Sequence, residues 1–220
     1  MRCIGLSIAL ALAFAAGCNR SDRSDVKPSP NTSAQSDRGQ GGTRADADFL
    51  HDLAIANMTE VELGKIAMEH SSNAEVKLFA QMIVNHHTAA GDKLTAVASQ
   101  HNVTLPAQLA QKHIDLRDKL SKLQGSEFDQ DYIEAMVDGL VDVWEKLQSR
   151  LDRNTLADFS AKMGDRIAGK LGPDASVSPE KSDNPVTVSL NQWAADNFPI
   201  VHKHLSEARR LDGTLKGPRT

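Results

Sequence analysis

Between Asp48 and Leu211 the apolar residues return every three or four positions, the period of an α-helix buried along one face. Helices striped in this way must pack against one another, so the pattern restricts the chain to an all-α architecture. Aromatic residues are scarce and β-branched residues do not alternate over long runs, so no strand pattern competes. A first helix is predicted from about Asp48 to His70, with Leu53, Ala56, Glu60, Leu63 and Ala67 on one face. A second runs from Asn73 to about Gln100, opened by a Ser72–Glu75 capping box, with Val76, Phe79, Ile83, Ala90, Leu94 and Val97 as its stripe. The short link between them implies antiparallel packing.

A shorter helix is expected from Pro106 to Leu123, with Leu109, His113, Leu116 and Leu120 inward. The third long helix starts near Ser126 and Asp129 and reaches about Leu151, with Phe128, Tyr132, Met136, Leu140, Val143 and Leu147 inward. Thr155 and Asp158 open a segment ending at Leu171 before Gly172 and Pro173, and residues 174–188 read as an irregular loop. Ser189 and Gln192 begin the last helix, which carries Trp193, Ile200, Val201, His204, Ala208 and Leu211 and contains Pro199. Four long helices with additional short ones make an up-down four-helix bundle over residues 48–212, followed by a flexible tail over 213–220.

The start of the chain sets the compartment. Met1 and Arg2 precede an apolar run from Cys3 to Ala16 that ends in Ala15-Ala16-Gly17-Cys18. This reads as a bacterial lipoprotein signal peptide over residues 1–17, too short and wrongly flanked for a membrane-spanning helix. Cys18 is then the lipidation site, with residues 18–47 a lipidated cysteine and disordered tether rich in Ser, Asp, Arg, Pro, Gln and Gly. The expected location is the periplasm, anchored to the membrane through the lipid, and Asn19 favours the outer membrane. The alternative is a secreted protein cleaved nearby.

Cys3 and Cys18 are the only cysteines, so the folded domain has none for a disulfide, a thiolate metal site or a nucleophile. Losing Arg2 from the 25 Lys and Arg leaves 24 basic against 29 acidic side chains. An acidic balance without a basic patch argues against nucleic acid as a partner.

The best candidates for chemistry lie on the inward faces. Glu60 interrupts the apolar stripe of the first helix, His86 and His87 sit at comparable depth in the second, and His204 lies on the inner side of the last. A convergence of Glu60, His86 and His204 at mid-bundle would suit a divalent metal, with His87 or His202 substituting if a helix is rotated. The competing reading is a structural polar network in which the same groups satisfy one another. Glu-x-x-His is missing around His86, His87 and His204, so di-iron oxidase chemistry is not expected. Phosphate-loop, His-Glu-x-x-His and Gly-x-Ser-x-Gly motifs are also missing. Tyr132 and Trp144 read as packing residues.

Several stretches together resemble the DUF4142 family. They are Asp48-Phe49-Leu50, Asn57-Met58-Thr59-Glu60-Val61-Glu62-Leu63-Gly64, Phe79 to His86, Leu105-Pro106, Phe128-Asp129-Gln130-Asp131-Tyr132, and Pro199 followed by His204 to Ala208. The resemblance implies a ferritin-like helical bundle in bacterial extracytoplasmic proteins of unassigned function. It keeps Glu60, His86 and His204. Asn85 stands where the family usually has aspartate, and Met136-Val137-Asp138 leads to Gly139 where it usually carries a histidine. Asp138 or Glu145 would compensate only if that helix rotated.

These readings order the functions. The first is a membrane-tethered, non-catalytic protein that binds an envelope protein or cell-wall component, or maintains the envelope. The second is a divalent-metal-binding or redox-protective protein using the Glu/His site. The third is a small-molecule enzyme using a pocket histidine.

Overall fold

The computed structural model describes residues 42–167 and 176–217. Among them are helices α1 (Arg44–His70), α2 (Ala74–Gln100), α3 (Gln111–Leu120), α4 (Gly125–Gln148), α5 (Arg153–Ile167) and α6 (Pro185–Leu215). The only β-type pairing among the described residues is an isolated antiparallel bridge between Leu151 and Pro179. The signal peptide, Cys18 and the tether through residue 41 lie outside the described residues. So do Leu171, Gly172, Pro173 and residues 218–220.

Capping side chains explain where the helix limits differ from the sequence expectations. α1 starts at Arg44, not Asp48, because Thr43 and Asp46 form a reciprocal capping box. Asn73, rather than Ser72, caps α2 by accepting from the backbone N–H groups of Glu75 and Val76. Pro106 lies before α3, which begins five residues later. Gly125, with φ +62°, opens α4 in the left-handed region that glycine tolerates. Asp152 accepts from the N–H groups of Asn154 and Thr155, so α5 begins ahead of the expected Thr155. Asn184 caps α6 with Pro185 in its first turn, so that helix absorbs the last part of the segment expected to be irregular. α6 continues through Pro199 at the expense of one helical hydrogen bond, and runs past Gly213 to Leu215.

The long helices close a ring: α1 packs on α2 and α4, and α6 packs on α4 and α2, while α3 lies against α1 and α4. All six predicted core residues of α4 are buried. Tyr132 stacks on Phe128 and meets Phe79 edge-on, and Trp144 stacks on Phe198. Ile200, expected inward, is exposed on α6. α1 and α2 approach closely because Gly64 faces α2: a Cβ there would lie 2.8 Å from Val84 Cγ2 and 3.3 Å from the Ala80 carbonyl oxygen.

Asp46 fastens one end of the ring. It is 1% exposed, although it falls in the stretch expected to be tether. Its carboxylate pairs with the Arg150 guanidinium beyond α4 and accepts from Thr187 Oγ1 of α6 at 2.7 Å and Thr43 N at 2.9 Å. Burial alone would raise its pKa. The hydrogen bonds from Arg150, Thr187 and Thr43 outweigh that and hold it below the usual carboxylate value.

Asp46→Ala leaves Arg150 facing a buried gap and is expected to cost about 3 kcal/mol in urea unfolding. Gly64→Val is expected to cost about 1–3 kcal/mol by overpacking. Gly213→Ala, whose new methyl meets nothing within 4 Å, is expected to be neutral or stabilising by up to about 1 kcal/mol.

Candidate functional site

Helix periodicity decides which polar side chains point inward. On α1, Glu60 continues the buried stripe of Leu53, Leu63 and Ala67. On α2, the buried stripe is Val76, Phe79, Ala80, Ile83, His87, Leu94 and Ala98. His87, four residues after Ile83 and seven before Leu94, belongs to that stripe. His86 follows the buried Phe79 by seven, yet it lies at the edge of the stripe and is exposed. On α6, Val201, His204, Leu205, Ala208 and Leu211 form the inner face. Three helices therefore bring a carboxylate and three imidazoles to one level of the core.

These groups are connected in series. His87 Nδ1 lies 2.7 Å from Glu60 Oε2. His87 Nε2 lies 3.2 Å from His204 Nδ1, and His204 Nε2 lies 2.8 Å from His86 Nδ1. Glu60, His87 and His204 are 3%, 5% and 1% exposed, so the chain runs from a buried carboxylate to a surface imidazole. The Glu60–His87 contact is short but lies outside hydrogen-bond directionality, which leaves both Glu60 oxygens without a directed donor.

This arrangement differs from the expected convergence in one respect. Glu60, His86 and His204 are brought together, but His87 stands between Glu60 and His204 and links them. His87 stands seven residues before Leu94, but His86 stands seven after the equally buried Phe79, so spacing alone does not choose between them. His202 instead sets its ring edge-on to Phe159, and Asp138 and Glu145 are exposed and take no part in the chain. His204 spends its two ring nitrogens on two different neighbours, so the donors form a line rather than a shell. Among the described residues, no group of three or more His, Cys, Asp or Glu side chains is arranged to hold a metal ion.

A line of imidazoles has a definite chemistry. With the rings neutral, His86 and His204 can each donate from Nδ1 to the Nε2 of the next ring inward, while His87 Nδ1 faces the Glu60 carboxylate without a directed bond. Adding a proton to His87 reverses the two outer hydrogen bonds, so the chain can pass protons between the surface and the core. Beside it lies a cavity of about 20 Å³ lined by Leu53, Asn57, Ala90 and Trp193, space for a single water molecule.

Burial sets the resting charge. His204 is pushed down to about 3, first by desolvation and then by the charges of His87, His86 and Lys203. His86 is lowered by its partial burial, then by His87 and Lys203. Tyr132, fully buried on α4, is raised by desolvation and by the nearby Glu60 charge, and its hydroxyl has no partner.

Fold and site together define an all-helical protein built around a buried carboxylate–imidazole chain. The family model "Domain of unknown function (DUF4142)" matches residues 30–167, well over half of the chain, and the protein belongs to that family. The match includes Glu60, His86 and His87 and ends before α6, which supplies His204. No curated protein and no solved structure matches the chain. Among the described residues, no helix is long and apolar enough to cross a membrane.

Because the folded pKa of His204 lies below its unfolded value near 6.5, the unfolded chain binds more protons in acid. The resulting stability is complete above pH 6.5 and is lost as pH falls toward 3. Between pH 6.5 and 5, wild type is expected to lose about 2 kcal/mol in urea titrations, at about 1.4 kcal/mol per pH unit. His204→Gln should flatten that slope. The same slope in both proteins would mean that another group carries it.

Proposed function

We propose that this protein is a lipid-anchored, non-catalytic envelope protein with a ferritin-like up-down four-helix bundle, which binds an envelope component or maintains the envelope. The carrying observation is that the buried polar groups engage one another around space for a single water. An organic substrate has no room beside the histidines, which supports a polar network over an active site. Such a network specifies how α1, α2 and α6 align, because a rotated helix would strand a buried charge or imidazole.

The reading places the domain in the periplasm at the end of a tether, held through lipid on Cys18, with Asn19 directing it to the outer membrane. Labelled palmitate should enter wild type and not Cys18→Ala. The variant should leave the membrane fraction for the soluble periplasm. An unlabelled wild-type protein recovered only in soluble form would replace the anchor by simple secretion.

A second reading, divalent-metal binding or redox protection at Glu60, His86 and His204, is favoured by one observation. A buried carboxylate with no directed donor on either oxygen is a ready ligand for a cation. Tag-free protein supplemented with divalent metals should then carry stoichiometric metal that Glu60→Ala and His204→Ala both lose. Trace metal in wild type would leave the network reading alone.

A further inference from the structure

Glu60 has a second face. Besides the small cavity at the histidines, it lines a groove of about 990 Å³ between α1, α3 and α4. Gly139 of α4 covers this side thinly: a Cβ at that position would lie 3.7 Å from Glu60 Oε1. Oε1 is an unpartnered oxygen, closed to solvent, on a side chain more than nine-tenths buried that lines the groove.

The rim above it is acidic. Asp138, Asp142 and Glu145 project from the same face of α4 at helical spacing, and none has an ion-pair partner among the described residues. Two groove lysines are already neutralised, Lys119 by Asp131 at 2.8 Å and Lys146 by Asp52 at 2.6 Å. The remaining basic side chains on the lining are Lys112, His51, which lies beside Asp52, and His113, whose pKa is lowered first by burial and then by Lys112. Between rim and floor the walls are apolar, formed by Ile55, Leu63, Leu116 and Met136. A bare metal ion would use the floor and leave these walls uncovered. A flexible chain of methylenes with ammonium groups along it matches floor, walls and rim together.

We propose that the α1–α3–α4 groove binds a linear organic polyamine, with one ammonium over Gly139 facing the buried Glu60 carboxylate and the others against the α4 rim carboxylates. The proposal rests on the binding role inferred above and gives it a ligand class. Its outcome is separate from that of the lipid anchor, since palmitate labelling does not depend on the groove.

Spermidine titrated calorimetrically into the purified chain carrying Cys18→Ser, at near-physiological ionic strength, tests it. Saturable binding at one site is expected. Gly139→Ala should weaken it about tenfold or more while keeping or raising thermal stability, because the new methyl makes only ordinary contact and alanine favours the helix. Glu60→Gln should weaken it to a similar degree, and Asp138→Asn with Asp142→Asn by less. No saturable binding in wild type would overturn the proposal, as would equal binding by Gly139→Ala. Displacement of spermidine by Mg²⁺ at equal charge concentration would also overturn it, since the groove would then be attracting counterions only.

Discussion

A carboxylate in an apolar core must be matched by nearby dipoles or protons, and most of this structure follows from how Glu60 meets that demand. His87 supplies the nearest group, but a buried imidazole has two nitrogens and needs a partner for the second. His204 is that partner and has the same need, which His86 meets at the surface. The chain thus ends only where water can take over. Each link belongs to a different helix from the one before it, and α2 contributes twice, with His87 and His86 on either side of His204. The polar line therefore binds α1, α2 and α6 to one register, while apolar packing alone would tolerate small rotations.

The same carboxylate also faces the opposite way. Its second oxygen is buried beneath Gly139 of α4, on the side of the α1–α3–α4 groove, and the Tyr132 hydroxyl on that helix is also buried and unpaired. A buried polar atom without a directed partner is costly. Glu60 is such a group, and it lines the groove as well as the small cavity at the histidines. At the far end of the ring, Asp46 has the opposite character. Four donors from Thr43, Arg150 and Thr187 converge on it, so it fastens the helices and leaves nothing free.

The helices were legible because their period survives in one dimension. The buried faces of α4 and much of α1 and α2 could be read from spacing alone, and so could the inward orientation of Glu60 and His204. Boundaries were less legible. Thr43, Asn73, Asp152 and Asn184 each set a helix start, yet polar residues nearby offered equally good caps until the chain's path selected among them. Asp46 was hidden for a related reason: it follows a stretch that lacks apolar residues, and only its tertiary partners make it part of the core. His86 and His87 show the limit most clearly. Adjacent residues on a helix point about 100° apart, so the choice between them depends on which side of α2 meets α6.

The sequence by itself determined an all-α chain with a few inward polar residues, because hydrophobic burial along a helix is written in local periodicity. The tertiary structure alone decided that these residues form a line through His87 instead of a shell around one point. It also decided that Glu60 lies beneath Gly139 beside a groove on its other side. Both outcomes depend on the rotation and offset of helices packed from distant parts of the chain, which no local spacing encodes.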